Sequence, residues 1–243
     1  EEIQRFRKHL SDQFDWGKNK AEILTWLSDY LPVDNDAARS IYEYYKLQHM
    51  FAKIPHTNKI IIEHFSDHNS KYVIFHTVFG RRVNDVLSRA VAFALGKLGS
   101  GDAEIGIADN GFYLRYKHAV HAARGLRMLH AQDLEKLMQR AIERTEILAR
   151  RFRHCAGRSL MILRKYKGNK KSVGRQQVSS RILIAMIERI GKDFPIYKEA
   201  QREVLEDKMD VQNAKNVLER IENKRIIVEE IHTDLPSPLA FSL

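Results

Sequence analysis

Lys59-Ile60-Ile61-Ile62-Glu63-His64-Phe65 and Lys71-Tyr72-Val73-Ile74-Phe75-His76-Thr77-Val78-Phe79 are two runs rich in β-branched and aromatic residues, joined by the polar Ser66-Asp67-His68-Asn69-Ser70. Such runs bounded by turn-forming residues read as a β-hairpin. After Gly80 the period changes. Apolar residues fall at Val83, Val86, Leu87, Ala90, Val91, Ala94, Leu95 and Leu98, which is one helix face over about four turns. A second pair of alternating runs follows, 103–108 and 112–116, around Asp109-Asn110-Gly111. Asn-Gly between such runs predicts a tight hairpin with both turn residues at positive φ. The two hairpins are expected in one antiparallel sheet, with the Val86/Leu87/Val91/Leu95 face packed on it.

Outward from this centre the chain is helical. Residues 1–54 carry helical spacing, with a start signal at Asp34-Asn35-Asp36. Residues 133–166 carry one long period, with a break expected at Gly157 or near Arg150-Arg151. A loop is expected over 167–175, then helices over 178–191, 196–208 (Pro195 in the first turn) and 211–223 (Asp210 as N-cap). Arg225-Ile226-Ile227-Val228-Glu229-Glu230-Ile231 closes the chain's regular structure as a strand. The fold class is α+β, mostly helical, with about five strands in antiparallel hairpins packed by about eight helices. The βαβ alternation of a RecA-like or Rossmann sheet is missing. Two regions are expected: a helical lead-in over 1–56 and a domain over 57–243.

The chain has 243 residues, 44% of them hydrophobic and 30% charged, with a formal net charge of +10. That balance suits a packed core and excludes a disordered tail. The start lacks the apolar run of a signal peptide, and no stretch reaches the roughly 20 apolar residues of a membrane span. The single cysteine, Cys155, excludes an internal disulfide and a Cys-based zinc site and reads as a buried small hydrophobe. The chain reads as a fragment: it opens inside a helical pattern, and its first methionine is Met50.

The excess charge has one address. Between Glu146 and Glu188 there is no acidic residue, while Arg150, Arg151, Arg153, Arg158, Arg164, Lys165, Lys167, Lys170, Lys171, Arg175 and Arg181 are basic. Outside this stretch 30 basic residues meet 31 acidic ones. An unneutralised basic block calls for a polyanion, or for carboxylates from elsewhere in the fold. The neutral donors Gln176, Gln177 and Ser179 suit phosphate or sugar contacts, and the helix that follows directs its positive end at the same loop. Nucleic-acid contacts are therefore expected from Arg150, Arg153, Arg158, Lys165, Lys167, Lys170, Lys171, Arg175, Gln176, Gln177 and Ser179. Arg151 and Arg158 lie nearest the apolar stripe of their helix. A second basic spot is Arg81-Arg82 with Asn84, where arginines stand at a helix N-terminus against its dipole.

Catalytic signatures are absent: there is no Gly-x-x-x-x-Gly-Lys-Ser/Thr loop, no Gly-x-Gly-x-x-Gly and no Gly-x-Ser-x-Gly. The pair His118 and His121 and the set His64, His68 and His76 lack partners at zinc-site spacing, so no metal is expected. Trp16 and Trp26 are expected in core or interface packing rather than as stacking platforms.

Four ordered motifs carry a family resemblance. Ile74-Phe75-His76-Thr77-Val78-Phe79-Gly80-Arg81-Arg82-Val83-Asn84-Asp85 resembles the opening of the DEAD/H-associated region of the Lhr (large helicase-related) family. Phe152-Arg153-His154-Cys155-Ala156-Gly157-Arg158-Ser159-Leu160-Met161-Ile162-Leu163-Arg164 is similar to its second signature, and Phe194-Pro195-Ile196-Tyr197-Lys198-Glu199-Ala200 with Arg202-Glu203-Val204-Leu205-Glu206-Asp207 to its third. Pro236-Ser237-Pro238-Leu239 resembles a closing Pro-Ser-Pro-Phe element. The resemblance implies the fourth, family-specific domain of a Superfamily 2 DNA helicase that moves 3′ to 5′ using ATP and is linked to DNA repair, with residues 1–54 leading in from the winged-helix region. It implies no cofactor in this chain, with ATP and Mg in RecA-like motor domains that the chain lacks. The implied partners are single-stranded DNA or an RNA–DNA hybrid, together with the RecA-like and winged-helix domains of the same protein, and no membrane. The single cysteine points to a reducing, intracellular compartment, and the expected location is cytoplasmic. The competing expectations are a clamp that docks on the motor domains with little DNA contact, and a DNA-repair enzyme module.

Overall fold

The computed structural model describes residues 2–67, 69–143, 145–163, 165–170, 172–191 and 193–243. The chain folds as two compact units, residues 1–131 with 216–243, and residues 132–215.

The first unit opens with three helices, α1 (Glu2–Asp15), α2 (Lys20–Tyr30) and α3 (Asn35–Ala52). Asn19 starts α2 through a capping box with Glu22, and the Asp34 carboxylate accepts from the Ala37 amide at 2.7 Å to start α3. Leu10, Ile23, Leu27, Ala38, Tyr42 and Ile54 form their shared core. Next come β1 (Lys59–Asp67), β2 (Ser70–His76), α4 (Arg81–Lys97), β3 (Glu104–Ala108), β4 (Gly111–Tyr116) and α5 (Ala122–Arg127). Val86, Leu87, Val91 and Leu95 of α4 are buried, and the helix packs on β3 and β4. β2 pairs antiparallel with both β1 and β4, so the two hairpins share one sheet.

Two details depart from the sequence reading. The β3–β4 turn is Asp109-Asn110, with Gly111 already in β4 opposite Ala108, and neither Asn110 nor Gly111 has positive φ. Gly111 is needed for space instead, since a Cβ there would lie 2.2 Å from the Phe75 carbonyl oxygen. The last strand, β7 (Ile227–His232), forms no hairpin. It pairs parallel with β1, Ile60 opposite Val228, giving the sheet order β3-β4-β2-β1-β7.

The segment after β7 is tied down by one buried carboxylate. Glu63 accepts from the Ser237 amide at 2.7 Å, the Ser237 hydroxyl at 2.6 Å, His76 Nε2 at 2.8 Å and the Thr233 hydroxyl at 3.3 Å. Burial pushes the Glu63 carboxyl up, but the bonds from His76 and Ser237 outweigh it and hold the group below its ordinary range.

The second unit holds α6 (Leu134–Ile142), α7 (Glu146–Arg158), a two-stranded ribbon of β5 (Lys165–Tyr166) and β6 (Asn169–Lys170), α8 (Val173–Ile190) and α9 (Pro195–Arg202). A π-helical turn, Glu203–Lys208, follows α9, and α10 (Val211–Glu222) leads back to the first unit. The long period over 133–166 is thus two helices. Thr145 caps the second, accepting from the Leu148 amide, and α7 ends one residue after Gly157. The expected loop over 167–175 contains the ribbon's second strand and the start of α8, capped by Ser172. Asp210 accepts from the Asn213 amide at the start of α10, as its sequence position suggests.

Candidate nucleic-acid interface

The basic block falls in the second unit and divides there into two populations. Glu203, 3% exposed at the start of the π-helical turn, takes the first. Its carboxylate accepts from Arg158 and, at 3.0 Å, from Arg151 Nη1. The Arg158 hydrogen bond overcomes the effect of burial and, with the charges of Arg158 and Arg151, holds the Glu203 carboxyl below its ordinary value. Arg158 also donates to Cys155 Sγ at 3.3 Å, while burial pushes the Cys155 thiol up. These two arginines fasten α7 to the turn after α9, and Arg158 is a fold contact before it is a strand contact. That is the pairing with C-terminal carboxylates that the charge pattern left open.

The second population faces water. Arg150 on α7, Lys165, Lys167 and Lys170 on the ribbon, and Arg175 and Gln177 on α8 are exposed, while Arg153 and Gln176 are half-buried. The ribbon turns at Lys167-Gly168 with φ of 45° and 81°, the positive pair that a type I′ turn demands. Its register sets Lys165 directly opposite Lys170. Like charges opposite each other in a ladder destabilise it, and the ribbon's own sequence, Lys-Tyr-Lys-Gly-Asn-Lys, holds no acid. Immediately beyond it begins α8, whose N-terminal end carries partial positive charge. Ser179 donates its hydroxyl to the Arg175 carbonyl at 2.9 Å, which leaves it only as an acceptor for a ligand. Lys171 and Arg164 lie outside the described residues.

Arg81 and Arg82 stand exposed in the first turn of α4, in the first unit. Asp109 relieves the unfavourable dipole, since its carboxylate accepts from the Arg81 amide at 3.3 Å. Asn84, expected to contact a ligand, is instead fully buried. Its amide nitrogen donates to the carbonyls of Ala108 and Asp109, and its amide oxygen accepts from the Thr77 hydroxyl at 2.6 Å. The side chain holds the β3–β4 turn against α4 and does not face a ligand. Its unpaired-looking position at a helix start concealed this, because the acceptors lie 24 and 25 residues away.

Trp26 packs as expected, its ring centroid 5.1 Å from that of Tyr30 and 6.0 Å from that of Phe6. Trp16 lies outside this cluster, 68% exposed and beside Lys18. Among the described residues no group of three or more His, Cys, Asp or Glu is placed to hold a metal ion, and no helix is long and apolar enough to cross a membrane. His68 lies outside the described residues.

Comparison with known proteins agrees along almost the whole chain. The ATP-dependent helicase Lhr-Core of Methanothermobacter thermautotrophicus is 44% identical over 243 residues, all of this chain and 28% of that protein. The ATP-dependent helicase Lhr-Core of Saccharolobus solfataricus is 38% identical over 250 residues, with the same shares. The solved structure of the Mycobacterium smegmatis helicase Lhr bound to ssDNA and AMP-PNP matches with a TM-score of 0.83 at 25% identity, over 98% of this chain and 30% of that one. The chain therefore spans little more than a quarter of the length of these curated relatives. The family described as DEAD/H associated matches residues 54–240, from just before β1 to just past the Pro-Ser-Pro segment, and the chain belongs to that family.

Proposed function

We propose that this chain is a non-catalytic nucleic-acid-binding domain of an Lhr-type ATP-dependent helicase, holding the tracking single strand while motor domains outside these residues drive it 3′ to 5′. One observation carries the reading: a two-residue hairpin that sets Lys165 against Lys170, with Lys167 at its tip and the start of α8 beside it. A fold gains nothing from paired lysines on a ribbon without carboxylates, whereas a phosphate backbone neutralises both. In this reading Arg150 and Arg153 of α7 and Arg175, Gln176 and Gln177 of α8 add further contacts, and Arg81 and Arg82 form a separate one. Trp16 supplies a stacking face for a base. The ssDNA bound to the similar Mycobacterium smegmatis helicase supports single-stranded DNA as the ligand. An RNA–DNA hybrid presents the same phosphates.

The test is binding of a labelled single strand to the whole chain across a salt series. Changing Lys165, Lys170 and Arg175 together to Ala is expected to weaken binding to all sequences alike. It should lower the slope of log affinity against log salt by about 2, at roughly 0.7 per phosphate contact on single strands. Unchanged affinity and slope would remove the ribbon from the strand path.

A further inference from the structure

Beyond Arg175, Gln176 and Gln177 at its start, the strand reading leaves the outer face of α8 unused. This helix is 18 residues long, yet the described side chains it buries are only Ser180 and Ile187. Its large aliphatic residues point the other way: Val178, Ile182, Met186 and Ile190 are 58%, 54%, 55% and 83% exposed. At 100° per residue these four advance by 40° at each step, so they form one ribbon along the helix, on the side away from Ser180 and Ile187. Arg175 and Arg189 fall in the same angular sector, at the two ends of the stripe. Fourteen residues separate them, about 21 Å along the axis. α7 packs against α8 within the unit and leaves this stripe in water. A contiguous aliphatic stripe on a surface facing water marks an interaction site.

Charge and side-chain type select the occupant. Nucleobases stack on aromatic rings, and the stripe contains none. A second copy of the helix would bring arginine against arginine in either orientation, antiparallel or parallel, which disfavours self-pairing. A bilayer surface favours aromatic residues on the apolar face and many basic ones beside it, whereas α8 has no aromatic residue, three arginines and one acidic residue. What fits is a protein helix with an apolar stripe closed at each end by a carboxylate. We propose that the outer face of α8 docks such a helix, Ile182 and Met186 supplying the buried centre and Arg175 and Arg189 the charged ends. The proposal does not depend on strand binding.

The probe is a synthetic amphipathic helix with leucine at every fourth position and glutamates at the spacing of Arg175 and Arg189, titrated into the whole chain by fluorescence anisotropy. Binding is expected, with a loss of about tenfold or more when lysines replace the glutamates, and a similar loss in the Ile182→Asp/Met186→Asp double variant. Both positions are exposed, so the variant should melt like the parent chain and bind single strands with unchanged affinity. Absence of peptide binding overturns the proposal. So does a fall in strand affinity in the double variant, which would assign the stripe to the strand path. Concentration-dependent dimers, or binding to phosphatidylglycerol vesicles, that the same variant abolishes would equally overturn it in favour of a second copy or a membrane.

Discussion

Glu203 decides what two of the arginines do. Once a buried carboxylate is fixed between Arg151 and Arg158, removing either arginine strips a hydrogen-bond partner from a group that water cannot reach. Arg151→Ala and Arg158→Ala are therefore expected to lower the thermal midpoint by a few degrees and to change single-strand affinity little. Lys165→Ala and Lys170→Ala should do the reverse, and melting curves beside anisotropy titrations separate the pairs. Charge counting alone put all four on one list; which of them met Glu203 depended on a contact 45 and 52 residues distant. A second buried group ties the fold to pH. His56 is pushed down to about 4, first by burial and then by the charge of Lys59. Its Nδ1 accepts from the Asn58 amide at 3.2 Å, a bond that only the neutral ring can make on that nitrogen. The folded state thus binds this proton less readily than the unfolded state, where a histidine titrates near 6.5. Stability from His56 is present above about pH 6.5 and is lost as pH falls toward about 4. Urea unfolding between pH 7 and 4 should show that loss, and His56→Gln should flatten it.

Among the elements, α4 was the easiest to read and the sheet's last strand the hardest. The α4 stripe is local information, eight apolar residues within sixteen, and every one from Val83 to Leu95 is buried. Leu87, 1% exposed, is expected to cost about 2–5 kcal/mol on truncation to Ala, measured by equilibrium urea unfolding. The hairpins were equally local, although Asn110-Gly111 pointed to the wrong pair of turn residues because Gly111 answers to Phe75 on a neighbouring strand rather than to its own φ. The break before α7 was also written in the sequence, as Thr145 followed by Glu146, but the apolar period runs in phase across it and hid the cap. The Lys165–Lys170 ribbon is too short for any periodicity to announce. Nothing in residues 226–231 could say that they lie parallel to β1, since that choice is made by register with Ile60 and Glu63 far upstream.

For the molecule as a whole, the charge block, the missing motifs and the α+β class were legible from the start, because each is a matter of composition or local order. The division into two units was not. Without a loop to cradle β and γ phosphates, the chain is expected to hydrolyse no ATP with or without single strands, and phosphate release by a clean preparation would contradict this. The parallel pairing of β7 with β1 has a consequence for how the protein is made. Ile60 leaves the ribosome 168 residues ahead of its partner Val228, an interval on the order of ten to thirty seconds at usual elongation rates. Throughout that time β1 offers an open, apolar edge, and the whole second unit is synthesised before the strand that closes it. The nascent chain must keep that edge from other strands until β7 emerges, and a ribosome stalled inside α10 would release a chain with that edge still open.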